Sequence, residues 1–182
     1  MARERTATIW ISDMSGFTLL THLHGPRTVM DMVFGMREVL SDIIRTRQGH
    51  VFKCVADNVF AIFDSPLDAL QAANDARKRL AEGTRVCIGI GHGPLMLFPG
   101  EEDYFGMEIN LASKLGEDTA GPGEVLLTEA AYQGIPEPFR HTLEGPHTLP
   151  VDRFQFHYYR LSGPVTEGRP TVILPPDAEA AL

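Results

Sequence analysis

Lysine is nearly missing from this chain, and cysteine is scarcer still. Only Lys53, Lys78 and Lys114 occur in 182 residues, and no segment gathers lysine and arginine into a cluster. With a formal net charge of −8 there is no basic stripe to neutralise phosphates, which argues against a nucleic-acid surface. The two cysteines, Cys54 and Cys87, sit in separate apolar runs without zinc spacing, and free buried thiols suit a reducing cytoplasm. Long hydrophobic runs are absent as well. "MARERTATIW" has no signal-peptide core and nothing approaches a membrane span, so a cytoplasmic protein is expected. What remains is an ordinary globular balance, 43% hydrophobic and 22% charged residues, in a length that favours one domain with a good-sized core.

Periodicity divides the chain into elements. "TATIWISD" alternates Ala7, Ile9 and Ile11 and predicts a strand ending near Asp13. A helix begins within "SGFTLLTHL" and is interrupted at Gly25-Pro26. From Arg27 to Arg47 apolar residues recur at three and four, an amphipathic helix with Gly49 as its expected C-cap. Residues 50–64 predict a hairpin turning at Ala56-Asp57-Asn58. Ser65, Pro66 and Asp68 open the next helix, and Gly83 closes it. "TRVCIGIGHGPLMLF" predicts two strands with a turn at Gly91-His92-Gly93. "MEINLASKLGED" reads as a short helix ending near Gly116, "GEVLLT" as a buried strand with Thr128 capping a brief helix, and "RFQFHYYRLS" as the last strand, with Phe154 and Phe156 in the core. The expected organisation is a domain over 1–162 and a Pro/Gly-rich tail over 163–182, the domain being α+β with helices largely on one face of one sheet.

Three segments carry polar residues that such a fold does not itself require: "ISDMSGFT" (11–18), "KCVAD" (53–57) and "EDYFGMEINLASKL" (102–115). Asp13 ends a strand and Asp57 sits on a hairpin turn. Two carboxylates at neighbouring strand ends can share hard cations such as Mg²⁺. Ser15-Gly16-Phe17-Thr18 opens a helix whose free N–H groups would face an anion. Taken singly, Asp13 is equally a helix cap and Asp57 an ordinary turn residue. His22 and His24 flank a leucine on a helix and point to different faces, as a solvated pair.

Over residues 6–162 the chain resembles the catalytic domain of the class III adenylyl/guanylyl cyclases. "D-M-S-G-F-T" resembles the family's first metal segment, "F-K-C-V-A-D" its purine-reading lysine and second metal aspartate, and "VCIGIGHGPL" its central strand. "D-Y-F-G-M-E-I-N-L-A-S-K-L" resembles the segment bearing an adenine-reading aspartate, a transition-state asparagine and a transition-state arginine. The resemblance implies a ferredoxin-like α+β sandwich with a central, mostly antiparallel sheet. It implies Asp13 and Asp57, with the Met14 carbonyl, as ligands of two Mg²⁺ or Mn²⁺ ions per site, and Ser15, Gly16, Phe17 and Thr18 around the triphosphate. Lys53 and Asp103 would read adenine, Asn110 would orient the ribose, and Lys114 would stabilise the transition state. The implied reaction converts ATP to 3′,5′-cyclic AMP and pyrophosphate. It would run in two equivalent sites shared across a homodimer, Lys53 and Asp57 serving opposite sites.

Three positions depart from the family. Lys114 stands where the family carries arginine, so a point charge replaces a planar fork. Ala56 stands where glycine is usual, so the turn is expected to avoid positive φ there. No lysine follows Lys114, although Arg153 or Arg160 could replace a further triphosphate contact. The family's usual sensor domain or membrane bundle does not appear, which points to a separate regulatory protein. An alternative reading is therefore a catalytically degenerate cyclase-like module for nucleotide binding or dimerisation.

Overall fold

The computed structural model describes residues 3–80, 84–98 and 103–166. The expected helix end at Gly83 and residues 167–182 of the expected tail lie outside the described residues. The chain runs β1 (Arg3–Met14), α1 (Phe17–His24), α2 (Pro26–Thr46), β2 (His50–Val55), β3 (Asn58–Phe63), α3 (Pro66–Arg79) and β4 (Val86–Leu97). It continues with β5 (Tyr104–Phe105), α4 (Met107–Ser113), a π-helical turn (Lys114–Thr119), β6 (Val125–Thr128), α5 (Glu129–Gln133), α6 (Glu137–Arg140), β7 (Leu143–Val151) and β8 (Phe154–Leu161). The strands form one sheet in the order β2-β3-β1-β4-β6-β8-β7, with β5 added beside β4. Among the described residues only β4 and β6 pair in parallel; the other pairings are antiparallel.

β1 lies between β3 and β4 and is buried on both faces, so its simple alternation hides a double burial. Trp10 faces α2 and α3 in the main core with Val33, Leu40, Phe63 and Ile88. Ile9 and Ile11 face the other way, against Ala112 of α4. Helices thus cover both faces of the sheet rather than one. Each large apolar side chain buried in this way contributes about 1.5–3 kcal/mol, which is why the central strands hold the positions of everything attached to them.

Several expectations need correction. β4 is one continuous strand with no turn at Gly91-His92-Gly93. Glycine is there because a helix presses on the strand: a Cβ at Gly89 would lie 2.0 Å from the Ala112 carbonyl oxygen, and one at Gly91 2.6 Å from that of Glu108. After α2, Gln48 takes the left-handed conformation (φ 62), while Gly49 makes room for the Phe63 ring, 2.4 Å from where its Cβ would stand. Ala56 adopts φ 47 rather than avoiding positive φ, because the hairpin closes in two residues between paired Val55 and Asn58. Arg37 donates to the Ala56 carbonyl and braces that turn. Gly116 lies within the π-helical turn rather than at a helix end, tight against Gly89 and the Ile11 carbonyl. Phe154 is 61% exposed, whereas Phe156 packs beside Leu126 and Leu149.

Candidate active site

The end of β1 and the β2–β3 hairpin bring the first pair of candidates together. Ser12 of β1 is paired with Val59 of β3, so Asp13 emerges next to the turn that carries Asp57. The two carboxylates are within hydrogen-bonding reach, and Asp57 is buried. Burial, the hydrogen bond from Asp57, and the charges of Asp57 and Glu117 push Asp13 up to about 7. Crowded carboxylates of this kind repel each other unless a proton or a cation sits between them.

Glu117 is a neighbour that sequence reasoning missed. Its carboxylate accepts from the Asn58 amide at 2.7 Å, and burial raises its pKa first, with Asp118 and Asp57 adding to the rise. The π-helical turn breaks helical spacing at Lys114, so no periodicity in the sequence could have aimed Glu117 at Asp57.

Immediately after Asp13 the chain turns through Gly16, whose φ of 75 needs a residue without a Cβ clash. No side chain caps the start of α1. The expectation of free N–H groups holds only partly, because the Ser15 amide donates to the Arg85 carbonyl at 2.9 Å. Its hydroxyl lies 3.2 Å from the Cys87 sulfur. Phe17 packs against the main core and Thr18 is exposed. The Met14 side chain is buried in the main core.

The second pair forms elsewhere. Lys53 Nζ donates to Asp103 Oδ2 at 2.7 Å across fifty residues of sequence, both side chains being 38% exposed. Their neighbours set this meeting: Phe52 packs edge-on against Tyr104 with ring centroids 5.0 Å apart, in a cluster with Ala7, Ile62 and Leu95. A register shift in β2 between Val51 and Lys53 turns the strand at this point. The Lys53 ammonium also lies 5.8 Å from the Phe60 ring centroid.

Asn110 is exposed on α4. Lys114 follows one turn later, where its amide donates to the Asn110 and Leu111 carbonyls. Its side chain lies 3.5 Å from Asp118 and is 46% exposed. Arg160 pairs with Glu124 at 3.4 Å and with Glu144 at 3.0 Å. Among the described residues no three or more His, Cys, Asp or Glu side chains converge on a metal site. A cation between Asp13 and Asp57 would complete its shell with backbone and phosphate oxygens, which is the usual habit of Mg²⁺. The hard oxygen donors present fit such an ion.

No protein-family model matches the chain. It is 30% identical over 161 residues to an uncharacterized protein of Mycobacterium tuberculosis, covering 84% of this chain and 41% of that one. It is 25% identical over 132 residues to a Streptomyces coelicolor protein named adenylate cyclase, covering 71% and 34% respectively. The chain thus spans about two fifths or less of the length of these curated relatives. Among solved structures, the adenylyl cyclase CyaB from P. aeruginosa superposes with a TM-score of 0.76 at 21% identity, covering 93% of this chain and 98% of that one. The catalytic core of a rhodopsin-guanylyl cyclase with converted specificity, in complex with ATPαS, gives 0.79 at 18% identity, covering 88% and 97%. No helix among the described residues is long and apolar enough to cross a membrane. An open, mostly antiparallel eight-stranded sheet with these crossovers is the fold of the class III adenylyl/guanylyl cyclase catalytic domains, the family that the motifs of this chain resemble.

Proposed function

We propose that this chain is an adenylate cyclase that converts ATP to 3′,5′-cyclic AMP and pyrophosphate in two sites shared across a homodimer. The observation that carries this reading is the meeting of Asp13 and Asp57, where burial first, and then the neighbouring Asp57 carboxyl, push Asp13 up to about 7. A fold gains nothing from such crowding unless a cation relieves it.

Asp13 and Asp57, with the Met14 carbonyl, would hold Mg²⁺ or Mn²⁺. When bound, the ions supply positive charge to the polyphosphate and make the 3′-hydroxyl easier to deprotonate. Gly16 and the start of α1, with Ser15, Phe17 and Thr18, lie against the β- and γ-phosphates. Lys53 donates to the adenine ring nitrogen and Asp103 accepts from the exocyclic amine. Asn110 orients the ribose so that its 3′-oxygen lies in line with the α-phosphorus. The O3′–Pα bond forms as the bond to the pyrophosphate oxygen breaks, the hydroxyl proton passing to solvent and the bonding pair leaving with pyrophosphate, and Lys114 meets the negative charge that develops. Positioning and charge stabilisation account for the acceleration, with no covalent intermediate required.

A second reading, a binding or dimerisation module without efficient turnover, is favoured by Lys114. Its ammonium already faces Asp118, and it lacks the fork with which arginine holds two phosphate oxygens. The deciding experiment is cyclic AMP formation by the purified protein with ATP and Mn²⁺, beside Asp57→Ala and Lys114→Arg. Product that disappears in Asp57→Ala supports the enzyme. Product only from Lys114→Arg identifies a cyclase scaffold stopped at one residue. Silence from all three defeats the catalytic reading.

A further inference from the structure

We infer that Glu108 is a positioning residue that clamps α4, and with it Asn110, onto the edge of β4; the inference rests on the cyclase reading of Asn110. The outer edge of β4 is covered by β6 at residues 88–90 and by β5 at 96–97. Between these stretches the His92 N–H faces a gap in the ladder, and a half-buried amide left unpaired there would lose part of a hydrogen bond's worth of stability. Glu108 fills the gap. Its Oε2 accepts from the His92 N–H at 3.0 Å and from the Thr128 hydroxyl at 2.6 Å.

That one oxygen joins three elements, because the Thr128 hydroxyl also accepts from the Ala131 N–H and caps α5. The strand is shaped to receive it. A Cβ at Gly91 would come within 3.0 Å of Glu108 Oε2, and one at Gly93 within 2.9 Å of Glu108 Cγ. Glu108 is therefore held by two strong acceptor contacts inside a groove made of glycine. Asn110 lies two residues further along the same short helix, with its side chain exposed. A helix of seven residues has little rigidity of its own, so the clamp sets where Asn110 points.

The test uses steady-state cyclic AMP formation with ATP and Mn²⁺, together with amide hydrogen exchange over residues 107–113. Glu108→Ala should lower kcat by about 10- to 100-fold, since a displacement of about 1 Å in an orienting group costs this much. The KM for ATP should stay within about twofold, because base reading rests on Lys53 and Asp103. Exchange across α4 should accelerate. Glu108→Gln keeps an acceptor oxygen for both donors and should retain kcat within about threefold. Gly93→Ala, which pushes the Glu108 side chain without removing it, should give an intermediate loss and serves if Glu108→Ala fails to fold. If Glu108→Ala leaves kcat and exchange unchanged, the inference is wrong while the cyclase reading stands. If Glu108→Gln loses as much as Glu108→Ala, the carboxylate acts through its charge and the clamp is overturned. If the wild type makes no product, the cyclase reading fails, and faster exchange in Glu108→Ala but not Glu108→Gln decides the clamp alone.

Discussion

At the scale of single residues, the proposed chemistry turns on charge held in unusual places. Asp13, pushed up to about 7 from an ordinary 3.8, binds its proton more tightly in the folded chain than in the unfolded one. Between about pH 4 and about pH 7 the folded state therefore carries the extra proton, so stability falls as pH rises through that window. Without divalent cations the Tm should decline across it, Asp13→Asn should flatten the decline, and Mn²⁺ should restore the loss at the upper end. A flat wild-type profile would show that the two carboxylates do not crowd each other. Lys114 gives a second prediction. Lys114→Arg places two parallel donors where one flexible ammonium stands, and turnover should rise about tenfold. An unchanged or lower kcat, measured at saturating ATP, would show that position 114 does not meet the developing charge.

At the scale of elements, β4 and its glycines decide how the two faces of the sheet are built. Gly89→Ala would drive a Cβ into the Ala112 carbonyl, against backbone on both sides, and should cost about 3 kcal/mol in a denaturant titration. The hairpin offers the opposite sign. Ala56 sits at φ 47, where a Cβ is strained, so Ala56→Gly should stabilise the chain by about 1 kcal/mol despite glycine's entropy in the unfolded state. The contrast also explains what could be read in advance. α2 and α3 were legible because apolar periodicity and the Ser65-Pro66 start are local signals, and Ser65 does accept from the Leu67 amide. The Asp13–Asp57 pair and the Lys53–Asp103 pair rested on motif order, and each pair does meet in space. The misreadings arose where a glycine served a neighbour rather than a turn. Gly91 and Gly93 look like a turn in sequence, yet they exist to admit Glu108, fifteen or so residues away. β7 went unread because its apolar residues are broken by Gly145, Pro146 and Pro150, which normally argue against a strand.

At the scale of the whole molecule, the two candidate groups are separate pairs on one chain, Asp13 with Asp57 and Lys53 with Asp103. If sites are shared across a two-fold axis, Asp57→Ala and Asn110→Ala spoil different halves of each site. Either variant alone should be inactive, and an equal mixture should recover about a quarter of wild-type activity, since half the dimers would carry one intact site. No recovery on mixing, with dimers confirmed by sedimentation, would place all the groups in a site within one chain. The Lys53–Asp103 ion pair has one more consequence. On the proposed adenine-reading role, each charge already has its partner at 2.7 Å before any nucleotide arrives, so the purine must part them and satisfy both. Adenine presents an acceptor to the ammonium and a donor to the carboxylate; guanine, in the same pose, presents the reverse and would leave two separated charges facing groups of the wrong kind. Selectivity on this arrangement comes from a closed latch that only one base can open without leaving it broken.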